Sequence, residues 1–265
     1  MTNKSIPLML CESVDSENEI PLGWYWELKL DGIRALYIDG RFITRQGNDI
    51  TDKFPELKGI NFKGVLDGEI VCFKNDDDRK IFKTDFNTLQ NHKNNGATAF
   101  YVAFDVLRIG KDDITDLPLR ERRDKLNMVV NGSKCPTYRN IMFVSCPSWN
   151  TIVAKGYEGI VAKNPDSTYE FRRSKSWRKY KRVGEIDSEI LNYEVTANGN
   201  GFVINLDYNG NGLRVAVQNP IDRDLIKANF GVGGIVLTAV ISFNDITKTG
   251  MLRNPVCKEV RVGHK

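Results

Sequence analysis

From residue 24 onwards the chain is a succession of short runs rich in β-branched and aromatic residues, each closed by a glycine-bearing turn, and this punctuation restricts the fold more than any other feature. Residues 24–30 read as a strand. Residues 35–38 and 41–44 flank Asp39-Gly40, a pair that favours the tight primed turn of a hairpin. Further strand patterns fall at 64–71, 100–107, 158–163 and 177–181. Helical spacing is sparser. Phe82, Phe86 and Leu89 mark one face of a helix ending in the polar tract 91–95, residues 120–130 read as an amphipathic helix with a basic, solvated side, and Ser148 is a plausible cap for a helix through Ala154. Residues 75–80 read as a polar, charge-mixed loop. This mixture predicts an α+β domain.

The texture changes at 185–187. Beyond it, β-rich runs at 190–195, 202–206 and 213–217 are separated by Asn-Gly-rich turns at 198–201 and 209–212, followed by a short helix over 222–230 and a strong strand over 235–243. Many short strands with one helix suggest a small Greek-key barrel compatible with the OB architecture, although another small barrel or a sandwich fits the same pattern. The expected domains are 1–186 and 187–265. With 265 residues and 41% hydrophobic content the chain is long enough for both cores.

The chemistry concentrates in Glu27-Leu28-Lys29-Leu30-Asp31-Gly32-Ile33-Arg34. On a strand Lys29 and Asp31 face one way, and Gly32 lets the backbone bend closely behind them, so a nucleophile, a carboxylate and an arginine are expected in one pocket. A lysine amine attacks phosphorus only as the free base, which neighbouring cations or desolvation favour. Alone, the stretch is equally a strand leading into a hairpin. Asp67 and Glu69 interrupt an otherwise buried strand pattern, which suggests a ligand hydroxyl or a metal, or else a turn with Glu69 at the surface. In the basic segment 169–182, Lys179 and Lys181 are two apart and face one way, while Arg172, Lys175, Arg178 and Arg182 read as a solvated face or as contacts to a phosphate backbone.

Composition excludes several classes. Five cysteines, scattered and without a Cys-x-x-Cys pair, indicate neither a disulfide framework nor a zinc site. With only His92 and His264, histidine-centred acid–base catalysis is disfavoured, so catalysis must lean on lysine, arginine, carboxylates and metal. No apolar run approaches the ~18 residues of a membrane span and no signal-peptide pattern opens the chain, which reads as an intracellular, cytoplasmic protein. The net charge of +4 is mild, so its distribution matters more than its total.

Taken in order, these stretches resemble the motif set of the ATP-dependent DNA ligases, within the covalent nucleotidyltransferase superfamily. The resemblance runs from Pro7-Leu8-Met9-Leu10 nearly to the C-terminus. It implies a nucleotidyltransferase (ATP-grasp-like adenylation) domain of antiparallel sheets with helices, followed by a small OB-fold barrel, and a minimal two-domain ligase, monomeric, acting on nicked duplex DNA. It implies Lys29 as the adenylated lysine, Glu27 as the reader of adenine, and Arg34 as a nucleotide contact. Arg45, in Thr44-Arg45-Gln46-Gly47, would contact AMP and the nick, and Glu69 would hold ribose and support the metal. Phe104 would stack on adenine, Glu158 would serve the metal, and Lys163 would bind phosphate. Lys179 and Lys181 would hold the α-phosphate, with Arg173 near the nick 5′-phosphate and Arg261 orienting pyrophosphate. ATP and magnesium are the implied cofactors, with manganese as an alternative ion.

The chain departs from that pattern in two places. The last family motif, Arg-x-Asp-Lys-like, has only Arg261-Val262-Gly263-His264-Lys265 as its counterpart, without the aspartate. So little chain precedes Lys29 that no N-terminal DNA-binding domain is expected, and the 207–213 loop is too short for a large clamp-forming hairpin. RNA ligases and RNA-capping guanylyltransferases look alike around Lys29, and a binding-only barrel fused to an inactive pocket is the non-enzymatic alternative. NAD-dependent ligases are disfavoured because their zinc-binding cysteines have no counterpart.

Overall fold

Two hairpins show how local chemistry sets the architecture. Asp39 and Gly40 both take positive φ (46° and 100°), as do Asn209 and Gly210 (55° and 78°), the conformation a two-residue primed turn demands. The computed structural model describes residues 6–132, 138–140, 149–196, 201–247 and 249–264, with the backbone alone at 138–140 and 245. Ser148, Cys135, Cys146, Lys265 and most of the 198–201 turn lie outside the described residues. The chain divides into two units, Met1–Lys181 and Arg182–Lys265.

The first unit contains strands β1 (Leu10–Ser13), β2 (Tyr25–Leu28), β3 (Ile33–Ile38), β4 (Arg41–Thr44), β5 (Gly64–Val71), β6 (Phe100–Ile109), β7 (Asp112–Asp113), β8 (Tyr138–Asn140), β9 (Gly159–Lys163) and β10 (Arg173–Lys181). Its helices are α1 (Asp76–Lys80), α2 (Phe86–Gln90), α3 (His92–Asn95), α4 (Leu119–Asn131) and α5 (Trp149–Ala154). One sheet has the order β1-β10-β9-β2; the other runs β4-β3-β5-β6-β7, with β8 also pairing β6. The expectation of antiparallel sheets needs a correction, because β1 pairs β10 and β8 pairs β6 in parallel.

Period-two alternation divides the core. On β6, Phe100, Val102 and Phe104 join a cluster with Leu28, Ile160, Ala162 and Trp177 of the other sheet, while Tyr101 and Ala103 face a second cluster that includes Leu126 of α4. Residues 75–80 are not a loop. Asn75 accepts from the Asp78 N–H as an N-cap, and α1 carries Asp76, Asp77 and Asp78 in its first turn and Arg79 and Lys80 in its last, complementing the helix dipole. The single helix expected across Phe82, Phe86 and Leu89 is broken: Phe82 has φ 61° and α2 starts at Phe86, capped by Asp85.

The second unit is one antiparallel sheet in the order β13-β12-β11-β14-β17, built from β11 (Gly184–Val195), β12 (Phe202–Tyr208), β13 (Asn211–Ala216), β14 (Ile235–Phe243) and β17 (Val256–His264). A short pair, β15 (Asp245–Ile246) and β16 (Leu252–Arg253), sits between the last two. The long β11 pairs β14 through its first half and β12 through its second, and β13 approaches β17 from the other end of the order. Helix α6 (Pro220–Asn229), capped by Asn219, contributes Ile226 to the core. Among the described residues no helix is long and apolar enough to cross a membrane.

Gly159 opens β9 with φ 152°, and a Cβ there would lie 2.2 Å from the Tyr180 carbonyl oxygen. Gly159→Ala is therefore expected to cost more than about 1 kcal/mol, read as a lower denaturation midpoint.

Candidate active site

Strand β9 is the middle of three and its register decides which side chains meet. Glu27 and Lys179 both pair Val161; Tyr25 and Trp177 both pair Lys163; Lys181 pairs Gly159, whose carbonyl also accepts the Lys29 N–H at 2.9 Å. Since side chains alternate, these rows place Glu27, Lys29, Lys163, Trp177, Lys179 and Lys181 on one face of the sheet. Gly159 contributes no side chain between Lys29 and Lys181. That face is one wall of an open cleft with about 230 Å³ of accessible space.

The opposite wall comes from the six-stranded sheet. Arg34 of β3 pairs Glu69 of β5, and both line the cleft with Phe104 of β6. A β-bulge falls at Phe104: Asp67 pairs Asp105 and Gly68 pairs Ala103, leaving Phe104 as the extra residue, on the same face as Phe100 and Val102. Arg45 and Arg173 also line the cleft, and the Arg173 guanidinium donates to the Cys11 carbonyl.

Lys29 Nζ lies 2.7 Å from Glu158 Oε2, and Lys181 Nζ lies 3.3 Å from Glu158 Oε1, so one carboxylate bridges two lysines. Lys163, 1% exposed, places Nζ 2.8 Å from Glu27 Oε2 and about equally above the Phe104 and Trp177 rings, 4.3 and 4.1 Å from their centroids. Burial depresses the pKa of Lys163, and the Arg123 charge acts the same way against the pull of Glu27. Burial, then Lys181, depresses Lys179. Glu69 is pushed up to about 8 by burial, with Glu158 and Asp67 adding to the shift against Lys29 and Arg34.

Arg34 is clamped from behind. Its guanidinium donates to both oxygens of buried Asp67 at 3.0 and 2.6 Å, and Tyr169 Oη donates to Asp67 Oδ2 at 2.6 Å. Burial opposes that charge, but Asp67 more than offsets it and holds Arg34 above its ordinary value. Asp67 and Glu69 thus sit in a continuous strand, and the alternative of a turn with a surface Glu69 is excluded.

Three expectations change. Asp31 does not line the Lys29 cleft; its carboxylate accepts the Phe86 N–H at 3.2 Å and steadies the start of α2. Lys29 itself follows the end of β2. The charges of α4 are not all solvated: Arg122 and Arg123 are 0% and 2% exposed, Arg122 pairing Asp105 and Arg123 pairing Glu27. The sequence carried a signal for this, because the buried positions of α4 are 119, 122, 123 and 126, the spacing of a core-facing stripe that here includes two arginines. Tyr169 and the Cys11 thiol, which also lines the cleft, were missed and had no comparable signal. Arg261 stands on β17, paired with Glu259 and 3.3 Å from Asp187.

Residues 8–181 match the family model described as the ATP dependent DNA ligase domain. The multifunctional non-homologous end joining protein LigD of Pseudomonas aeruginosa is 32% identical over 172 residues, 60% of this chain and 20% of that protein. DNA ligase 2 of Haloquadratum walsbyi is 29% identical over 223 residues, 73% of this chain and 34% of that protein. The chain therefore spans about a fifth to a third of these relatives' length. Among solved structures, a Lig E DNA ligase superposes with a TM-score of 0.71 at 18% identity, covering 96% of this chain and 98% of the other. The ligase domain of Mycobacterium tuberculosis LigD gives 0.59 at 21% identity, covering 96% and 95%; at such identities the likeness concerns the fold. With the family model spanning well over half the sequence and the cleft wholly inside the matched stretch, the chain belongs to the ATP-dependent DNA ligase domain family.

Proposed function

We propose that the chain is an ATP-dependent DNA ligase that seals nicks between a 3′-hydroxyl and a 5′-phosphate in duplex DNA. The observation that carries this reading is Lys29, its amine directed at Glu158 beside a cleft whose other cations are Arg34, Arg45, Lys163, Arg173 and Lys179. Lys29 Nζ attacks the α-phosphorus of ATP, the N–P bond forms, and the bond to pyrophosphate breaks. The proton on Nζ points at Glu158 Oε2, which gives it a route off the amine. An oxygen of the nick 5′-phosphate next displaces Lys29 from the AMP phosphorus, and the 3′-hydroxyl finally displaces AMP. Every step gathers negative charge at phosphorus, which fixed cations stabilise without reorganising.

In this reading Glu27 and Phe104 hold adenine, one by its edge and one by its face, and Lys163, expected to bind phosphate, instead stands beside them, 2.8 Å from Glu27 and over the Phe104 and Trp177 rings. Glu69 takes the ribose, Arg34 and Arg45 contact AMP, Lys179 and Lys181 hold the α-phosphate, Arg45 and Arg173 meet the nick, and Arg261 orients pyrophosphate from the second unit. That unit serves as an OB-type barrel, a reading supported by β11 shared between two hairpins and by β13 approaching β17. The enzyme acts as a monomer.

Among the described residues no group of three or more His, Cys, Asp or Glu is arranged as a metal cage. Glu69 and Glu158 nonetheless fit magnesium or manganese, because magnesium is commonly held by one or two carboxylates plus substrate phosphates, and because the two carboxylates are near enough for the Glu158 charge to add to the burial that raises Glu69. When bound, the ion supplies Lewis-acid neutralisation of the phosphates.

The test is incubation of a singly nicked duplex with ATP and magnesium, scored by strand length. Full-length product is expected with ATP, and chelation of divalent ions should abolish it until magnesium or manganese is restored. Labelling with GTP in place of ATP, or sealing of nicked RNA alone, would replace this reading with a capping enzyme or an RNA ligase.

A further inference from the structure

The carboxylate proposed to read the base is itself held from outside the cleft. Glu27 is 1% exposed, and its two oxygens are divided between two cations: Arg123 Nη2 meets Oε1 and Lys163 Nζ lies 2.8 Å from Oε2. Lys163 and Glu27 line the cleft, whereas Arg123 belongs to α4, 96 residues away in sequence. The two cations are not equivalent. Lys163 rests on two aromatic faces and is depressed by burial, while the Arg123 guanidinium keeps its charge under all ordinary conditions and presents Nη2 to Oε1 from a rigid plane.

We propose that Arg123 is a positioning residue that holds Glu27 as an ionised acceptor facing the cleft, and thereby makes the cleft selective for a purine with an amino rather than an oxo group at position 6. The inference rests on the nucleotide reading given above and deepens it. A carboxylate with no proton can accept from an exocyclic amine but meets an oxo group as one acceptor against another, leaving a buried acceptor without a donor. The docking of α4 does not depend on this contact, since Leu119, Leu126 and the Arg122–Asp105 pair remain to hold the helix. Position 123 can therefore be changed without removing the other contacts that dock the helix.

The experiment compares covalent labelling of the full chain by ATP and by ITP, which differ at position 6, for the wild type, Arg123→Met, Arg123→Lys, Glu27→Gln and the Glu27→Gln/Arg123→Met double variant. Arg123→Met should raise the KM for ATP more than it lowers the labelling rate constant, and should shrink the preference for ATP over ITP by about tenfold or more. Arg123→Lys, which keeps the charge but not the rigid plane that carries Nη2, should fall between. Adding Arg123→Met to Glu27→Gln should change the preference no further, because the arginine would act only through that carboxylate. Equal losses with both nucleotides, or a labelled Arg123→Met with the wild-type preference, would make Arg123 purely structural and overturn the proposal. Should Arg123→Met fail to fold, Arg123→Lys alone decides, an unchanged preference overturning it. A wild type that takes no label from either nucleotide would instead overturn the nucleotide reading, and this proposal with it.

Discussion

Lys29→Ala is expected to lose covalent labelling by α-labelled ATP by a factor on the order of 10⁴ or more, because no other group can replace an attacking amine at that position. The neighbours make the variant interpretable. Glu158 keeps Lys181 as a partner at 3.3 Å, so removal of Lys29 does not strand a carboxylate, and the wall built by β2, β9 and β10 keeps its register. A second readout separates chemistry from damage: a nick supplied already adenylated needs no lysine nucleophile, so its closure should persist in Lys29→Ala. Label surviving in this variant would shift the nucleophile to another lysine and discard the assignment. Loss of both activities would instead indicate a collapsed cleft.

The largest expected effect on stability comes from a pair that touches no substrate. Arg122 donates to both oxygens of Asp105 at 2.9 Å, and to the carbonyls of Leu117 and Ser167 at 2.5 and 3.2 Å, with both charged side chains wholly inaccessible. Arg122→Met leaves a buried carboxylate without its counter-charge and removes a donor from the Leu117 carbonyl, while the Ser167 carbonyl keeps the Leu119 N–H; the change should cost about 3–5 kcal/mol. Replacing both partners, Asp105→Leu with Arg122→Met, removes the stranded charge and should recover most of that loss. All four tryptophans, Trp24, Trp26, Trp149 and Trp177, lie in the first unit, so the denaturation midpoint followed by their fluorescence reports that unit alone. A loss below about 1 kcal/mol in Arg122→Met would show that the pair is solvated or replaceable.

Much of the candidate site was legible as separate pieces. Lys179 and Lys181 share a face because strand alternation depends only on neighbours two residues apart, whereas the same rule applied to Lys29 and Asp31 fails because β2 ends at Leu28. Asp39-Gly40 and Asn209-Gly210 announced their turns through the cost of positive φ, and the short helix expected over 222–230 is α6, which starts two residues earlier at Pro220 behind its Asn219 cap. Such terms are local, and a sequence states them directly.

What only the tertiary structure decided was which pieces meet and which charges are buried. Lys29 finds Glu158 across 129 residues and Arg34 is locked by Asp67 and Tyr169, contacts set by the register of β9 and by packing between two sheets rather than by any nearby residue. Alternation puts Phe104 on one face with Phe100 and Val102, but that this face looks onto Lys163 and Trp177 follows only from the packing of the two sheets. Arg122 and Arg123 look like the solvated side of a helix until their distant carboxylates are in place, since a buried charge is tolerable only beside its partner and that partner is chosen by the fold. Sequence determined the strands, the turns and the chemical types available along them; the long-range pairings, whose stability comes from burial, determined which of those groups form one site.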